Sequence, residues 1–185
     1  DLTNRFGARG GAIYCRVSGP IVAGNLVRSN SIGSPVNAFE SYGGGFYGYL
    51  AHAVIRSNTF FENEVLNAID GSGGGVHCYD SMLTMENNVF DRNHAKVGAA
   101  ICGMFADVRI TGNVVRSNAL FSGYPYQGSG SGAVCLRSCF EVVLDRNTFQ
   151  GNISATGAGL SLESCLSGRV ENNLFLNNLA WDYSG

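Results

Sequence analysis

One short pattern, Asn-x-Phe/Val-x-x-Asn, organises the hydrophobic and polar positions along this chain. An apolar residue stands three positions before the first Asn of each copy, and Val or Phe stands two positions after it. The residues between are mixed and often polar, and this period-2 alternation predicts short strands with one buried face. Successive copies begin 25 to 34 residues apart, and their first asparagines are Asn25, Asn58, Asn88, Asn113, Asn147 and Asn173.

A run of small residues precedes each copy and marks a further strand. It is Gly-Gly-Ala from Gly10, Gly-Gly-Gly from Gly43 and from Gly73, and an alternating stretch follows it. Each repeat therefore supplies three short strands and their turns, and the variable spacing indicates loops of different length inserted into a constant coil. The sequence predicts an all-β fold, a parallel β-helix of about six coils forming a single domain over residues 1–185.

Stacked coils explain why asparagine is the repeated polar residue. Adjacent coils lie about 4.8 Å apart, so equivalent residues form ladders along the solenoid. An amide side chain both donates and accepts hydrogen bonds, and a stack of amides satisfies turn backbone groups and neighbouring amides together. We predict two such ladders, one running from Asn25 to Asn173 and the other from Asn30 to Asn178.

The repeated motifs resemble those of a known fold family. The glycine runs and Asn copies are similar to those of right-handed parallel β-helices in the pectate-lyase-like superfamily. Gly10-Gly11-Ala12-Ile13 and the Phe-x-x-Asn units, such as Phe60–Asn63, also resemble the paired motifs of chlamydial polymorphic outer-membrane adhesins. The resemblance covers essentially the whole chain. It implies right-handed coils, which the general crossover preference also favours, and an extracellular or cell-surface location.

Composition narrows the range of partners. Only 14% of the 185 residues are charged, and stacked coils favour this because repeated charges would repel along a ladder. The net charge of −2 gives no attraction to nucleic acid or anionic lipid. No apolar run approaches the ~18 residues of a membrane span. Neither a Cys-x-x-Cys pair nor a Gly-Gly-x-Gly-x-Asp calcium repeat occurs, so no metal or cofactor is expected.

The outward face of the first strand in each coil is the candidate binding surface. In β-helix proteins that act on polysaccharides this face holds the site, as the family resemblance implies. Tyrosine joins an apolar ring to a hydrogen-bonding tip and suits a sugar, and long loops such as Ser31–Tyr42 and Glu64–Ser72 would flank the face. We expect a polysaccharide or surface glycan to be bound by Tyr14, Arg16, Tyr47, Tyr49, Tyr79, Tyr126 and Arg137, with His77 and Asp80 as further hydrogen-bonding groups.

Two other functions stay open. The first is a polysaccharide lyase or glycoside hydrolase acting at the same face. His77 or Tyr79 would serve as its acid–base group, and the carboxylate would come from Asp70 or Asp80. The clustered Asp with Gly-His-Gly of polygalacturonases is absent, which disfavours an enzyme complete within these residues. The second is an adhesin or structural spacer, in which the tyrosines only stabilise a sheet.

The cysteines are expected mainly in structural positions. Cys135 falls in an outward column and is expected to be exposed. Cys139 and Cys165 share a column in adjacent coils, where an oxidising compartment would allow a disulfide. If Ala100 is the first residue after the glycine run, then one inward column contains Cys15, Cys78 and Cys102. Cys acts there as a small hydrophobic residue.

The two ends of the chain lack the polar caps that solenoids normally carry. We therefore expect a segment of a longer solenoid; the alternative is that Asp1–Arg9 and Ala180–Gly185 cover the ends as irregular turns. Such a segment would make end-to-end contacts, or contacts with flanking domains, at its uncapped ends.

Overall fold

The computed structural model describes residues 8–119 and 131–180, with the backbone alone at residues 34–39 and 67–70. All regular elements in these ranges are β-strands, so none of them is a helix able to cross a membrane. In chain order the strands are β1 (Ile13–Arg16), β2 (Ile21–Ala23), β3 (Leu26–Arg28), β4 (Ser31–Tyr42), β5 (Phe46–Tyr49), β6 (His52–Arg56), β7 (Thr59–Phe61), β8 (Glu64–Ser72), β9 (Val76–Tyr79), β10 (Met82–Glu86), β11 (Val89–Asp91), β12 (Ile101–Met104), β13 (Asp107–Thr111), β14 (Val114–Arg116), β15 (Val134–Arg137), β16 (Glu141–Asp145), β17 (Thr148–Gln150), β18 (Ile153–Ser154), β19 (Leu160–Glu163), β20 (Ser167–Glu171), β21 (Leu174–Leu176) and β22 (Leu179–Ala180).

Three six-stranded parallel sheets form the body of the fold. Sheet 1 contains β1, β5, β9, β12, β15 and β19; sheet 2 contains β2, β6, β10, β13, β16 and β20; and sheet 3 contains β3, β7, β11, β14, β17 and β21. We number the coils 1 to 6 by the strands of sheet 1. The chain passes each sheet six times and thus makes five complete turns between its first and last coil. The predicted all-β parallel β-helix is confirmed.

The apolar columns of the repeat fill the space between the three sheets. Phe60, Phe90 and Phe149, which follow the first Asn of their coils by two residues, are fully buried. The rings of Phe60 and Phe90 stack with their centroids 5.0 Å apart. Each such side chain contributes about 2–3 kcal/mol by its removal from water. The period-2 alternation therefore predicted correctly which residues of sheet 3 point inward.

The two asparagine ladders are present and run through all six coils. In the first, Asn58 donates from its backbone N–H (2.9 Å) and from Nδ2 (3.1 Å) to Oδ1 of Asn88. Nδ2 of Asn58 also donates to the carbonyl of Val22, at 2.8 Å. Every interior Asn of both ladders repeats this arrangement, so the amide of one coil binds the coils on both sides.

Coil 4 differs from the predicted register by one residue. Ile101 lies opposite Val76 and Val134, and Ala100 is instead the third residue of the small-residue run, equivalent to Gly75. The prediction that Cys102 shares an inward column with Cys15 and Cys78 is therefore wrong. The alanines of Gly98-Ala99-Ala100 stand where coils 2 and 3 have glycine, and alanine is equally acceptable as a strand residue.

Candidate functional site

Two columns of side chains point outward from sheet 1. The second residue of each strand forms the second-position column, and the fourth residue forms the fourth-position column, because alternate residues of a strand share a face. The second-position column consists of Tyr14, Tyr47, His77, Cys102, Cys135 and Ser161. The fourth-position column consists of Arg16, Tyr49, Tyr79, Met104, Arg137 and Glu163.

A further ladder lies over the second-position column. It consists of the residues that immediately precede the small-residue runs of coils 2 to 5, and we call it the cover ladder: Tyr42, Ser72, Val97 and Ser131. The Tyr42 ring stacks on Tyr47 with centroids 6.2 Å apart and on His77 with centroids 4.5 Å apart. The expectation that Tyr47 and His77 are exposed is wrong: Tyr47 is 3% exposed and His77 is fully buried beneath this ladder. Tyr14, in the first coil, is 50% exposed.

His77 is held as a neutral ring inside this layer. Its Nδ1 lies 2.9 Å from the hydroxyl oxygen of Ser72, and its ring stacks on Tyr47 with centroids 5.4 Å apart. Its Nε2 has no hydrogen-bond partner among the described residues. Burial, with a smaller contribution from the charge of Arg9, lowers the pKa of His77 to about 3. The ring therefore carries no charge near neutral pH.

The remaining catalytic candidates are Tyr79, Asp80 and Asp70. Tyr79 is half-buried in the fourth-position column, and Asp80 is exposed in the turn after β9, with a positive φ of 49°. Asp70 pairs through its backbone with Glu40, but its side chain lies outside the described part of the chain. The acid–base and carboxylate roles assigned to these residues stay predictions.

The fourth-position column presents aromatic rings to solvent. Tyr49 and Tyr79 are half-buried with centroids 6.0 Å apart, and the Phe105 ring meets Tyr79 edge-on at 5.4 Å. The guanidinium carbon of Arg16 lies 5.7 Å from the centre of the Tyr49 ring. Phe105 is 43% exposed and belongs to the turn after β12, where its φ is 52°. We call Arg16, Tyr49, Tyr79, Phe105 and Arg137 the aromatic strip. Phe105 was not among the binding residues predicted from the sequence. It could have been found from its position, because one turn residue follows every strand of sheet 1.

A charged network closes the coil-5 end of the strip. Nε of Arg137 lies 2.7 Å from Oε2 of Glu163, and the hydroxyl of Ser131 donates to Oε1 of Glu163 at 2.7 Å. The hydroxyl of Ser161 donates to the same oxygen at 3.0 Å. Burial alone would raise the pKa of Glu163, but these hydroxyls and the guanidinium outweigh it and hold the pKa below its ordinary value. Tyr126, predicted to bind nearby, lies outside the described residues.

A cleft of about 250 Å³ opens between the cover ladder and the strip. Its walls are Tyr42, Ser72 and Val97 on one side and Met104 and Arg137 on the other. The cleft therefore lies above the second-position column in coils 3 to 5. A separate depression of about 370 Å³, on the far side of the coil between sheets 2 and 3, is lined by Glu86, Asn87, Thr111, Gly112 and Arg146.

Two cysteines occupy the second-position column beneath this cleft. Cys102 lies opposite Cys135, and both are fully buried, so the predicted exposure of Cys135 is wrong. A hydrogen bond from Cys102 holds the pKa of Cys135 below its ordinary value, and the charge of Arg137 acts in the same direction. The same bond, together with burial, raises the pKa of Cys102.

All six cysteines are free, including Cys139 and Cys165. The thiol of Cys139 donates to the carbonyl of Gly103 at 3.7 Å, and that of Cys165 donates to the carbonyl of Leu136 at 3.4 Å. Burial raises the pKa of Cys139 to about 12. In residues 8–119 and 131–180, no three His, Cys, Asp or Glu side chains are grouped as ligands for a metal ion.

Comparison with known proteins agrees with this architecture. A family model described as a right-handed beta helix region matches residues 67–181. The search of the curated proteins and the search of the solved structures returned no match. The family match supports the solenoid. The narrower resemblances to the pectate-lyase-like superfamily and to the chlamydial adhesins stay predictions.

Proposed function

This chain belongs to the right-handed β-helix family, and we propose that it binds a polysaccharide along the aromatic strip of sheet 1. The observation that carries the proposal is the row of partly exposed rings, Tyr49, Tyr79 and Phe105, in three consecutive coils. Their spacing is set by the coils, about 4.8 Å for each step. From Arg16 to Arg137 the strip extends over four steps, or about 19 Å.

The chemistry of the strip suits a sugar chain. Each ring offers an apolar face for the C–H surface of a sugar, and the tyrosine hydroxyls reach its polar edge. Arg16 and Arg137 stand at opposite ends and add charged hydrogen-bond donors for hydroxyl or carboxylate groups. The cleft beside the strip gives the ligand a second wall, formed by Tyr42 and Val97.

Burial of Tyr47 and His77 confines the proposed site to the fourth-position column and the adjoining Phe105. Tyr47 and His77 support the surface from beneath, because they are covered by Tyr42. Their proposed role is therefore to hold the cover ladder, which forms one wall of the cleft. The ligand would contact Tyr49 and Tyr79 in their place.

A glycan array on the purified chain, followed by calorimetry with the oligosaccharides retained, tests the proposal. Tyr49→Ala and Tyr79→Ala should each weaken binding by about 10-fold or more, as for aromatic residues at the centre of an interface. Phe140→Ala is the matched control, because Phe140 is 53% exposed and lies outside the strip. New reducing ends or unsaturated-uronate absorbance in the same samples would reveal lyase or hydrolase activity.

The outcome separates the binding module from a structural spacer. If no glycan is retained, or if the Tyr49→Ala and Phe140→Ala variants bind equally well, the strip is not a sugar site. A ligand of this class would be met outside the cell, so we also propose an extracellular or cell-surface location. Antibody labelling of intact cells, compared with permeabilised cells, tests that location.

A further inference from the structure

Three sulfur-containing side chains, those of Cys102, Met104 and Cys135, lie close together at the cleft of sheet 1. Cys102 and Cys135 are opposite one another on adjacent strands, where paired Cα atoms lie about 4.8 Å apart. Met104 is two residues beyond Cys102 and therefore projects from the same face of the strand. Val97, Cys102 and Cys135 pack as a small buried cluster, separate from the main core, and Met104 packs against it. Two thiols and one thioether thus belong to one small packed group.

Soft sulfur ligands select soft cations. Thiolate and thioether groups favour Cu(I) over the hard divalent ions that prefer carboxylate and carbonyl oxygens. We propose that Cys102, Cys135 and Met104 form a Cu(I)-binding site in which the metal is held by two thiolates and one thioether. Each ligand comes from a rigid, register-paired strand, so the site is preorganised by the stacking of coils 4 and 5.

The two thiols lie among polar and charged side chains. The Ser72 hydroxyl is a neighbour of Cys102, and the thiol of Cys135 donates to Oε1 of Glu163 at 3.9 Å, the same oxygen that accepts from Ser131. When Cu(I) binds, the two thiol protons leave to solvent and the complex carries one negative charge. The Arg137 guanidinium already acts on Cys135, and it remains a cation beside the complex although it also pairs with Glu163.

A path to the site is provided by the cleft, since its walls include Met104, Ser72 and Val97. Met104 is therefore both a wall of the cleft and a member of the sulfur cluster, and an ion that enters the cleft meets the thioether first. Thioether sulfur can pass a soft ion to a thiolate without any intervening hard ligand.

The other stacked thiol pair lacks these features and is the natural comparison. Cys139 and Cys165 both donate their thiol protons to backbone carbonyls, those of Gly103 and Leu136 among them. Burial is the main reason that the pKa of Cys139 is raised, and the neighbouring Cys165 acts in the same direction. Stacking of two cysteines alone therefore does not make a site.

Anaerobic titration of the fully reduced protein with Cu(I), in competition with a chromophoric Cu(I) chelator, tests the proposal. We expect one Cu(I) per chain and a sulfur-only first shell in X-ray absorption. Cys102→Ser and Cys135→Ser should each lower the affinity by more than about 100-fold, the upper limit for an outer-shell partner. Met104→Leu, a volume-conserving change, should lower it by about 10-fold. Cys139→Ser is the matched control and should bind as the wild type does.

Each possible result decides the matter. Unchanged affinity in Cys135→Ser, or loss of binding in Cys139→Ser alone, would overturn the assignment. So would a wild-type protein that binds no Cu(I), or one that loses two hydrogens by forming a Cys102–Cys135 disulfide while binding no copper. If the serine variants do not fold, as circular dichroism would show, the stoichiometry, the absorption spectrum and the Met104→Leu affinity still decide.

Discussion

Removal of one interior ladder amide should destabilise the whole solenoid. Asn93 is fully buried, and its Oδ1 accepts from the backbone N–H of Asn63 at 3.1 Å and from Nδ2 of Asn63 at 3.0 Å. Its Nδ2 donates to the carbonyl of Phe60 at 2.9 Å and to Oδ1 of Asn118 at 3.0 Å. Asn93→Ala therefore takes partners away from three neighbouring residues at once.

The expected loss of stability follows from the buried groups that lose a hydrogen-bond partner. Nδ2 of Asn63 keeps the carbonyl of Val27, and Oδ1 of Asn118 keeps the backbone N–H of Asn93. The backbone N–H of Asn63 and the carbonyl of Phe60 each lose the bond to Asn93, at about 1–3 kcal/mol for a buried group. The expected loss in the free energy of unfolding is about 2–6 kcal/mol, a large fraction of the 5–15 kcal/mol typical of a domain.

Urea denaturation followed by circular dichroism measures this loss. Asn25→Ala is the control, because Asn25 is the coil-1 member of the other ladder and is exposed, so water can replace its bonds to Ala23 and Asn58. We expect that control to change stability by about 0.5 kcal/mol. If the two variants lost the same free energy of unfolding, the buried ladder hydrogen bonds would not account for the loss in Asn93→Ala, and the prediction would be refuted.

Two further predictions concern pH and a glycine. Between its ordinary pKa near 6.5 and its folded pKa of about 3, His77 is protonated only in the unfolded chain. Stability should therefore fall as the pH is lowered, by roughly 1.4 kcal/mol per unit. Urea titrations from pH 7 to pH 4 should show a flatter dependence in His77→Gln but not in His52→Gln, a change of an exposed ring; equal slopes would refute this. Gly73→Ala should lower Tm more than Gly151→Ala, because both glycines have positive φ but only at Gly73 would a Cβ stand 2.5 Å from the carbonyl oxygen of Val76. Equal losses of Tm would show that this contact is relieved cheaply.

The sequence sufficed for the coils because their chemistry repeats. An Asn at fixed spacing has one satisfactory place in a stacked solenoid, and the apolar residues around it alternate with an unbroken period of two. The register failed where the chemistry changed: Gly98-Ala99-Ala100 replaces glycine with alanine, and alanine fits a turn or a strand. That single shift hid Met104 from the outward face and separated Cys102 from Cys135.

The burial of the predicted site could not be read from periodicity. Alternation tells which side of a strand a residue occupies, but it does not tell what lies on that side. The cover ladder is invisible as a repeat because its members, among them Tyr42, Ser72 and Val97, share no chemical type. Tyr47 and His77 therefore looked like surface residues, whereas the rings that do reach solvent are those of Tyr49, Tyr79 and Phe105.

The ladders also govern how such a molecule can change in length. Each interior amide, such as Asn88, accepts from the coil before it and donates to the coil after it, in the same geometry throughout. Duplication or loss of one whole coil would leave every remaining amide with equivalent partners. Loss of part of a coil would leave some amides without hydrogen-bond partners. Tandem duplication can therefore lengthen the outer surface in steps of about 4.8 Å. The length of the aromatic strip can therefore change during evolution with the number of coils.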